Sequence, residues 1–380
     1  MNAPTIKPLW ELYATQVSAL KEERYKQLYL MMDREGLDAL VVLATATLGR
    51  KGNLRFISNY SPISRYGGVI FPRQSDPVLL VPYAVHAYWA ETTSWIEDVR
   101  TCQDFASEVA SILLDAGCER GRIGLAGEES VPGFAKSLST FLAGTELTTA
   151  TPALTSLRMN TGEEDLKLVR HAASMADQVF EEAATLIGAG AAESEIFAAA
   201  EARLRRLHAE DSLLLIDSTG QQVSPFPTAR IIAEGDVVQY SVEPVSPGGQ
   251  WIQSVRMFSR GRPHRTVQNV VQTCIGALAV AQAELCPGVR IARVASAIAE
   301  ILEPIAPQGR IPYGHGIGLD NFEAPLLSVE SDEMVKDNML VVIHPALVVE
   351  GRSFYLGDTF LVTESGAERL STYPLEMLVV

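Results

Sequence analysis

The sequence predicts an α+β protein: a C-terminal domain of antiparallel sheet flanked by helices, preceded by a smaller α/β domain. Three observations carry this. Long helical patterns come first and paired strand-like runs come last in the C-terminal part; short apolar runs alternate with helices in the N-terminal part; and a stretch rich in Thr, Pro, Ser, Asn and Gly, residues 152–162, reads as a linker between them. The expected domains are therefore 1–156 and 157–380.

Taken in order, the amphipathic segment Lys21 to Gly36 reads as a helix that stops at glycine. Leu37 to Ala44, Tyr66 to Phe71 and Val78 to Tyr83 are apolar runs too short for helices, the pattern of buried strands. Helices at about Phe105 to Ala116 and Val131 to Leu142 bracket a further strand, Arg122 to Ala126. After the linker, Thr161 and Glu164 have the spacing of a capping box opening a helix to about Ile187. Further helices are expected at about Ser194 to His208, at Thr266 to Leu285, stopped by Pro287 and Gly288, and at Ile291 to Leu302. Strands are expected at Leu213 to Asp217, Val237 to Glu243, Trp251 to Phe258, Met339 to Val349 and Phe354 to Thr363.

At 380 residues and 47% hydrophobic the chain can bury two cores, which rules out disorder and fibres. Its 46 acidic residues exceed its 31 Lys and Arg, giving a charge of −15, and no basic run offers a footprint for nucleic acid or an anionic membrane. The four cysteines, Cys102, Cys118, Cys274 and Cys286, form no CxxC pair and read as reduced packing residues. Met1 to Leu20 carries no apolar leader, and no apolar run has membrane-spanning length, so the expectation is a soluble cytoplasmic protein.

Four motifs follow one another in the second domain: Gly235-Asp236-Val237-Val238; Arg256 within Ser-Val-Arg-Met-Phe; Gly314-His315-Gly316-Ile317-Gly318-Leu319-Asp320; and Asp358-Thr359-Phe360-Leu361-Val362-Thr363. Together they resemble the creatinase, prolidase, aminopeptidase P and methionine aminopeptidase superfamily. The resemblance implies the pita-bread fold, and Asn53-Leu54-Arg55-Phe56 with Tyr66 to Phe71 extends it to a creatinase/prolidase-type N-terminal domain. Peptidases of that superfamily hold two metal ions with two Asp, one His and two Glu. Those positions fall here on Ser241, on Gln253 (or Ser254 if the register shifts), on His315, on His344 and on Gly357. Only the histidine survives. Two divalent ions need several anionic oxygens to offset their desolvation, so no metal and no other cofactor is expected. Two histidines that contact substrate in the peptidases fall on Phe226 and Phe322.

By the same resemblance His315 and His344 face one pocket, where charging one imidazole opposes charging the other. One neutral and one charged ring would supply a base and an acid. Each has a plainer reading, His315 as a remnant of a Gly-His-Gly turn and His344 as a hydrogen-bonded core residue. Glu243 shares a strand face with Ser241 and stands beside the lost ligand positions, or else ends its strand in solvent. Glu323 is expected to pair with an imidazole; Asp358 reads as a structural hydrogen-bonding residue; Gln253 and Ser254 could recognise a carboxylate or amide. Tyr240, Trp251 and Tyr313 would line the pocket or simply pack, and Phe226 and Phe322 would make it apolar. The resemblance also implies a homodimer in which Arg65 reaches the partner's site and holds a substrate carboxylate.

The function expected from these residues is a metal-independent enzyme on a small polar metabolite, hydrolysing a non-peptide C–N bond in a creatinase-like or ectoine-hydrolase-like manner through His315, His344 and Glu243. Lyase or decarboxylase chemistry, a catalytically inactive binding protein and a metal-dependent Xaa-Pro peptidase are the alternatives.

Overall fold

The computed structural model describes residues 14–306 and 312–380, so the expectation for the N-terminal arm up to residue 13 lies outside the described residues. The chain divides into two compact units between Arg158 and Met159.

The first unit runs α1 (Ala14–Glu35), β1 (Ala39–Thr45), α2 (Gly52–Ser58), β2 (Tyr66–Pro72), β3 (Val78–Val81), α3 (Ala84–Thr93), β4 (Asp98–Thr101), α4 (Phe105–Asp115), β5 (Arg122–Ala126), α5 (Phe134–Phe141), β6 (Glu146–Thr149) and α6 (Thr151–Arg158). Its six strands form one mixed sheet in the order β4-β3-β2-β1-β5-β6. The expected apolar runs are its centre: β1 is buried along nearly its whole length, antiparallel to β2 and parallel to β5. Val41, Leu43, Ile70 and Leu80 meet Val109 and Leu113 of α4 in one core. The stretch read as a linker is instead largely α6. Pro152 lies in its first turn, where its missing N–H and fixed φ cost the helix nothing.

The second unit continues with α7 (Glu163–Ala189), α8 (Glu193–Arg206), β7 (Ser212–Asp217), β8 (Val237–Pro244), β9 (Ser254–Ser259), α9 (Arg265–Glu284), α10 (Ile291–Leu302), β10 (Gly314–Gly316), β11 (Glu323–Leu326), β12 (Leu340–Ile343), β13 (Ala346–Val349), β14 (Arg352–Tyr355), β15 (Asp358–Thr363), β16 (Gly366–Arg369) and β17 (Met377–Val379). The expected capping box does not form. Gly162, extended, takes the N-cap position of α7 without a side-chain bond, and Glu163, Glu164 and Asp165 in the first turn complement the helix dipole instead.

Two sheets organise this unit, β17-β9-β8-β7 and β11-β10-β12-β15-β16. An antiparallel bridge between Val255 and Gly357 ties one to the other. The helices α7 and α8 pack with Val238, Tyr240 and Phe258 into one core, while α9 and α10 pack with Val341, Ile343 and Phe360 into a second. This is the α+β pita-bread architecture expected. Two strands expected to be continuous are broken. Met339 to Val349 parts at His344-Pro345 into β12 and β13, and Phe354 to Thr363 parts at Leu356-Gly357 into β14 and β15. Both breaks lie at the candidate site.

Candidate functional site

The strand β10 places His315. Its flanking glycines permit this: a Cβ on Gly314 would collide with the Val342 carbonyl oxygen, and one on Gly316 with that of Ala324. The His315 Nδ1 lies 2.8 Å from the Gly316 carbonyl oxygen, which makes Nδ1 the donor and leaves Nε2 an acceptor. The His344 ring sits 4.9 Å from that of His315, edge to face, and 5.4 Å from the ring of Tyr355. Neither ring nitrogen of His344 has a hydrogen-bond partner among the described residues, and both are out of solvent. Burial, with the neighbouring His315 acting the same way, pushes the His344 imidazole down to about 3. Burial lowers His315 as well, so both rings are neutral at neutral pH. The expected base and acid, one ring neutral and one charged, is therefore corrected to two neutral rings.

On β8, Ser241 and Glu243 do share a face, and the Ser241 hydroxyl donates to Glu243 Oε1 at 3.0 Å. Glu243 is buried, not solvated at a strand end. Desolvation pushes its carboxyl up to about 8, against the opposing effect of hydrogen bonds from Ser241 and Asn321, so it carries its proton at neutral pH. The Gln253 amide Nε2 donates to the Tyr355 hydroxyl at 2.5 Å, and that hydroxyl is also hydrogen-bonded to Ser241. A line of uncharged groups thus runs from Gln253 through Tyr355 and Ser241 to Glu243. Tyr355 and Asn321 escaped the sequence reading. The signal for Tyr355 was its place two residues before the Gly357 ligand position, on the same side of an alternating strand.

Other expected residues stand elsewhere. Tyr240 faces away from Ser241, as strand alternation requires, and packs in the core with its ring 6.4 Å from Phe180. Trp251 is likewise a core residue. The Ser254 hydroxyl donates to Asp358 Oδ1 at 2.7 Å, so it serves the buried Asp358, as expected of a structural residue there, and not a ligand. Glu323 accepts from the Asp320 N–H at 2.7 Å. Half-buried Tyr313 borders the second core, and its carbonyl accepts the His344 N–H at 2.9 Å. The Phe322 ring lies 4.4 Å from that of His315 and is half exposed, so it covers the imidazole from the solvent side. Phe226 is 79% exposed on the loop after β7. Glu193 at the start of α8 pins both ends of that loop, accepting from the backbone and hydroxyl of Ser218 and of Thr228. Arg65 belongs to the first unit, where its guanidinium lies 5.3 Å from the Tyr83 ring centre.

A match to the family model described as metallopeptidase family M24 covers residues 167–364, and one to the creatinase/prolidase N-terminal domain covers residues 24–160. The chain belongs to metallopeptidase family M24. It is similar, at 23% identity, to a Xaa-Pro dipeptidase of Pyrococcus horikoshii over 94% of this chain and 99% of that one. A putative dipeptidase of Bacillus subtilis is 22% identical over 88% of this chain and 95% of its own. The X-Pro aminopeptidase structure from Thermotoga maritima superposes with a TM-score of 0.83 at 20% identity, covering 93% and 99% of the two chains. Membership of M24 places the chain with hydrolases of C–N bonds. It also overturns the expected metal-independent hydrolysis of a non-peptide metabolite, because the M24 relatives that match end to end are named as peptidases.

The residues present do not fit the M24 metal pair. Among the described residues no group of three or more His, Cys, Asp and Glu could hold a metal ion. At the five ligand positions of the M24 pattern stand a serine, a glutamine, two histidines and a glycine. The nearby carboxyl of Glu243 is protonated. A Cβ at Gly357 would strike the carbonyl oxygen of Ile343 and lie 2.5 Å from the Cβ of His344, so a ligand side chain has no room there. Hard divalent ions are not desolvated by so neutral a set. Among the described residues no helix is long and apolar enough to cross a membrane.

Proposed function

We propose that the cleft between the two sheets takes a short peptide and that the chain acts at its amide C–N bond. The end-to-end likeness to dipeptidases supports this reading, together with the convergence of His344, His315, Glu243 and Gln253 on the corresponding strand ends. A neutral imidazole offers one N–H and one lone pair, and both nitrogens of His344 stand unpartnered. An amide presents the matching carbonyl and N–H. Phe322 beside His315, and the exposed Phe226, give the ligand apolar surface, so dipeptides with a ring or hydrocarbon side chain suit it best. The reading includes a cytoplasmic homodimer, with Arg65 of one copy holding the peptide carboxylate in the other. A single-chain mass by light scattering removes the dimer from it.

The test is mass-spectrometric turnover of a dipeptide panel that includes Xaa-Pro, on chelator-treated protein with and without added manganese, alongside binding by calorimetry. Cleavage of any dipeptide supports the reading, and neither binding nor cleavage ends it. A second reading, a peptide-binding protein without turnover, is favoured by Ser241, Gln253 and Gly357 at the ligand positions, and binding without cleavage selects it.

A further inference from the structure

The four ligand positions that have lost their acids are not simply emptied. Ser241 and Gln253, which stand where the family pattern has its two aspartates, are both hydrogen-bonded to one atom, the hydroxyl oxygen of Tyr355. We propose that the Tyr355 phenol occupies the place of the family's metal pair, joining β8 to the segment before β9 through hydrogen bonds where the peptidases join them through ions. The inference rests on family membership and on this geometry, and is independent of the peptide reading above.

Three features make the replacement self-consistent. First, the donors match an uncharged occupant. Gln253 donates to the phenol at 2.5 Å, Ser241 is hydrogen-bonded to it as well, and Ser241 passes its own hydrogen to Glu243 at 3.0 Å. A metal pair needs acids at these positions; a phenol needs groups that donate and accept, and serine with glutamine supplies them. Second, the chain path brings the ring in. Gly357 bridges Val255 and presses so closely on the His344 backbone that no side chain fits there, and this draws the end of β14, two residues earlier, up to β8. The missing ligand at 357 and the phenol from 355 are two sides of one arrangement. Third, the half-buried phenol has His344 on its flank, ring centres 5.4 Å apart and the planes close to perpendicular.

The inference predicts that the full-length protein, incubated with excess Mn²⁺, Co²⁺ or Zn²⁺ and then desalted, retains no ion by elemental analysis and shows no shift in melting temperature. Two ions retained per chain would overturn it. A pair of variants tests the role of the ring itself. Ser241→Asp, Gln253→Asp and His344→Glu are combined once with Tyr355 kept and once with Tyr355→Ala. Metal retention is expected only when the tyrosine is removed, and equal retention in both would show that the phenol does not hold the metal's place. Should the combined variants fail to fold, Tyr355→Phe in the otherwise unchanged chain decides the bridging role: a fall in melting temperature of roughly 2–4 °C is expected. An unchanged value would mean that the hydroxyl joins nothing.

Discussion

Two buried carboxyls lie close together in the second unit and end in opposite states. Asp358, fully buried on β15, is paired with Arg256 at 2.9 Å and Arg369 at 3.0 Å, and accepts from Ser254. Glu243, buried on β8, has Ser241 and Asn321 as neighbours and no cation paired with it among the described residues, and keeps its proton to about 8. Burial alone does not decide whether a carboxyl is charged; the partner does. The arginine-paired centre holds the sheets together as an ionic cluster, while the neighbouring centre is neutral and leaves both ring nitrogens of His344 without a partner among the described residues.

The largest break in this comparison comes from removing the cation. Arg256→Met leaves Asp358 buried with only the half-buried Arg369 and takes away the stacking of the guanidinium on Phe180, 5.1 Å away. Denaturant unfolding should show a loss on the order of 3–5 kcal/mol. A smaller and more specific effect follows from the pocket's protons. Between about pH 3 and 6.5 the unfolded chain binds a proton at His344 that the folded chain excludes, so stability rises with pH; between 4.5 and about 8 the folded chain keeps a proton on Glu243 that the unfolded chain loses, so stability falls. Across the overlap these two cancel, and the lowered His315 adds a further rise up to about 6.5. Stability should therefore climb to about pH 6.5, less steeply above 4.5, and decline from there to about 8. Glu243→Gln should abolish the decline, a change on the order of 1 kcal/mol per pH unit, and leave the His344 rise below pH 4.5 in place. A decline that persists in Glu243→Gln means that another group carries it. The finest distinction, a difference of about 1 kcal/mol, comes from two matched serines. Ser254→Ala removes a bond to an ionised acceptor and should cost about 1.5–3 kcal/mol, whereas Ser241→Ala removes one to a neutral carboxyl and should cost about 0.5–1.5 kcal/mol. Equal losses in unfolding experiments would erase the distinction.

Many strands were legible because a buried strand is a short unbroken apolar run, as in Val78–Val81 and Leu340–Ile343. The breaks were not. Met339 to Val349 reads as one strand because its apolar residues continue through Pro345, yet proline cannot donate to the ladder and the chain leaves the sheet there. The position of His315 was readable from its glycines. The role of Tyr355 was hidden because a search for charged ligands asks what each acid has become and overlooks a neighbour that moves into the emptied volume. The state of Glu243 was equally hidden, since only the fold shows that it is buried with Ser241 and Asn321 as its hydrogen-bond partners. Pro152 misled in the other direction, since a proline that suggests a linker also starts a helix well.

Gly357 carries a consequence for how this lineage can change. An acidic side chain regained at that position would meet the Ile343 carbonyl and the His344 Cβ before it could reach an ion, so the single substitution yields strain and no ligand. The path back to a five-ligand centre must first move backbone, and the steps in between offer selection nothing to favour. The glycine therefore acts as a ratchet, allowing the other four positions to drift toward whatever the neutral cleft now requires.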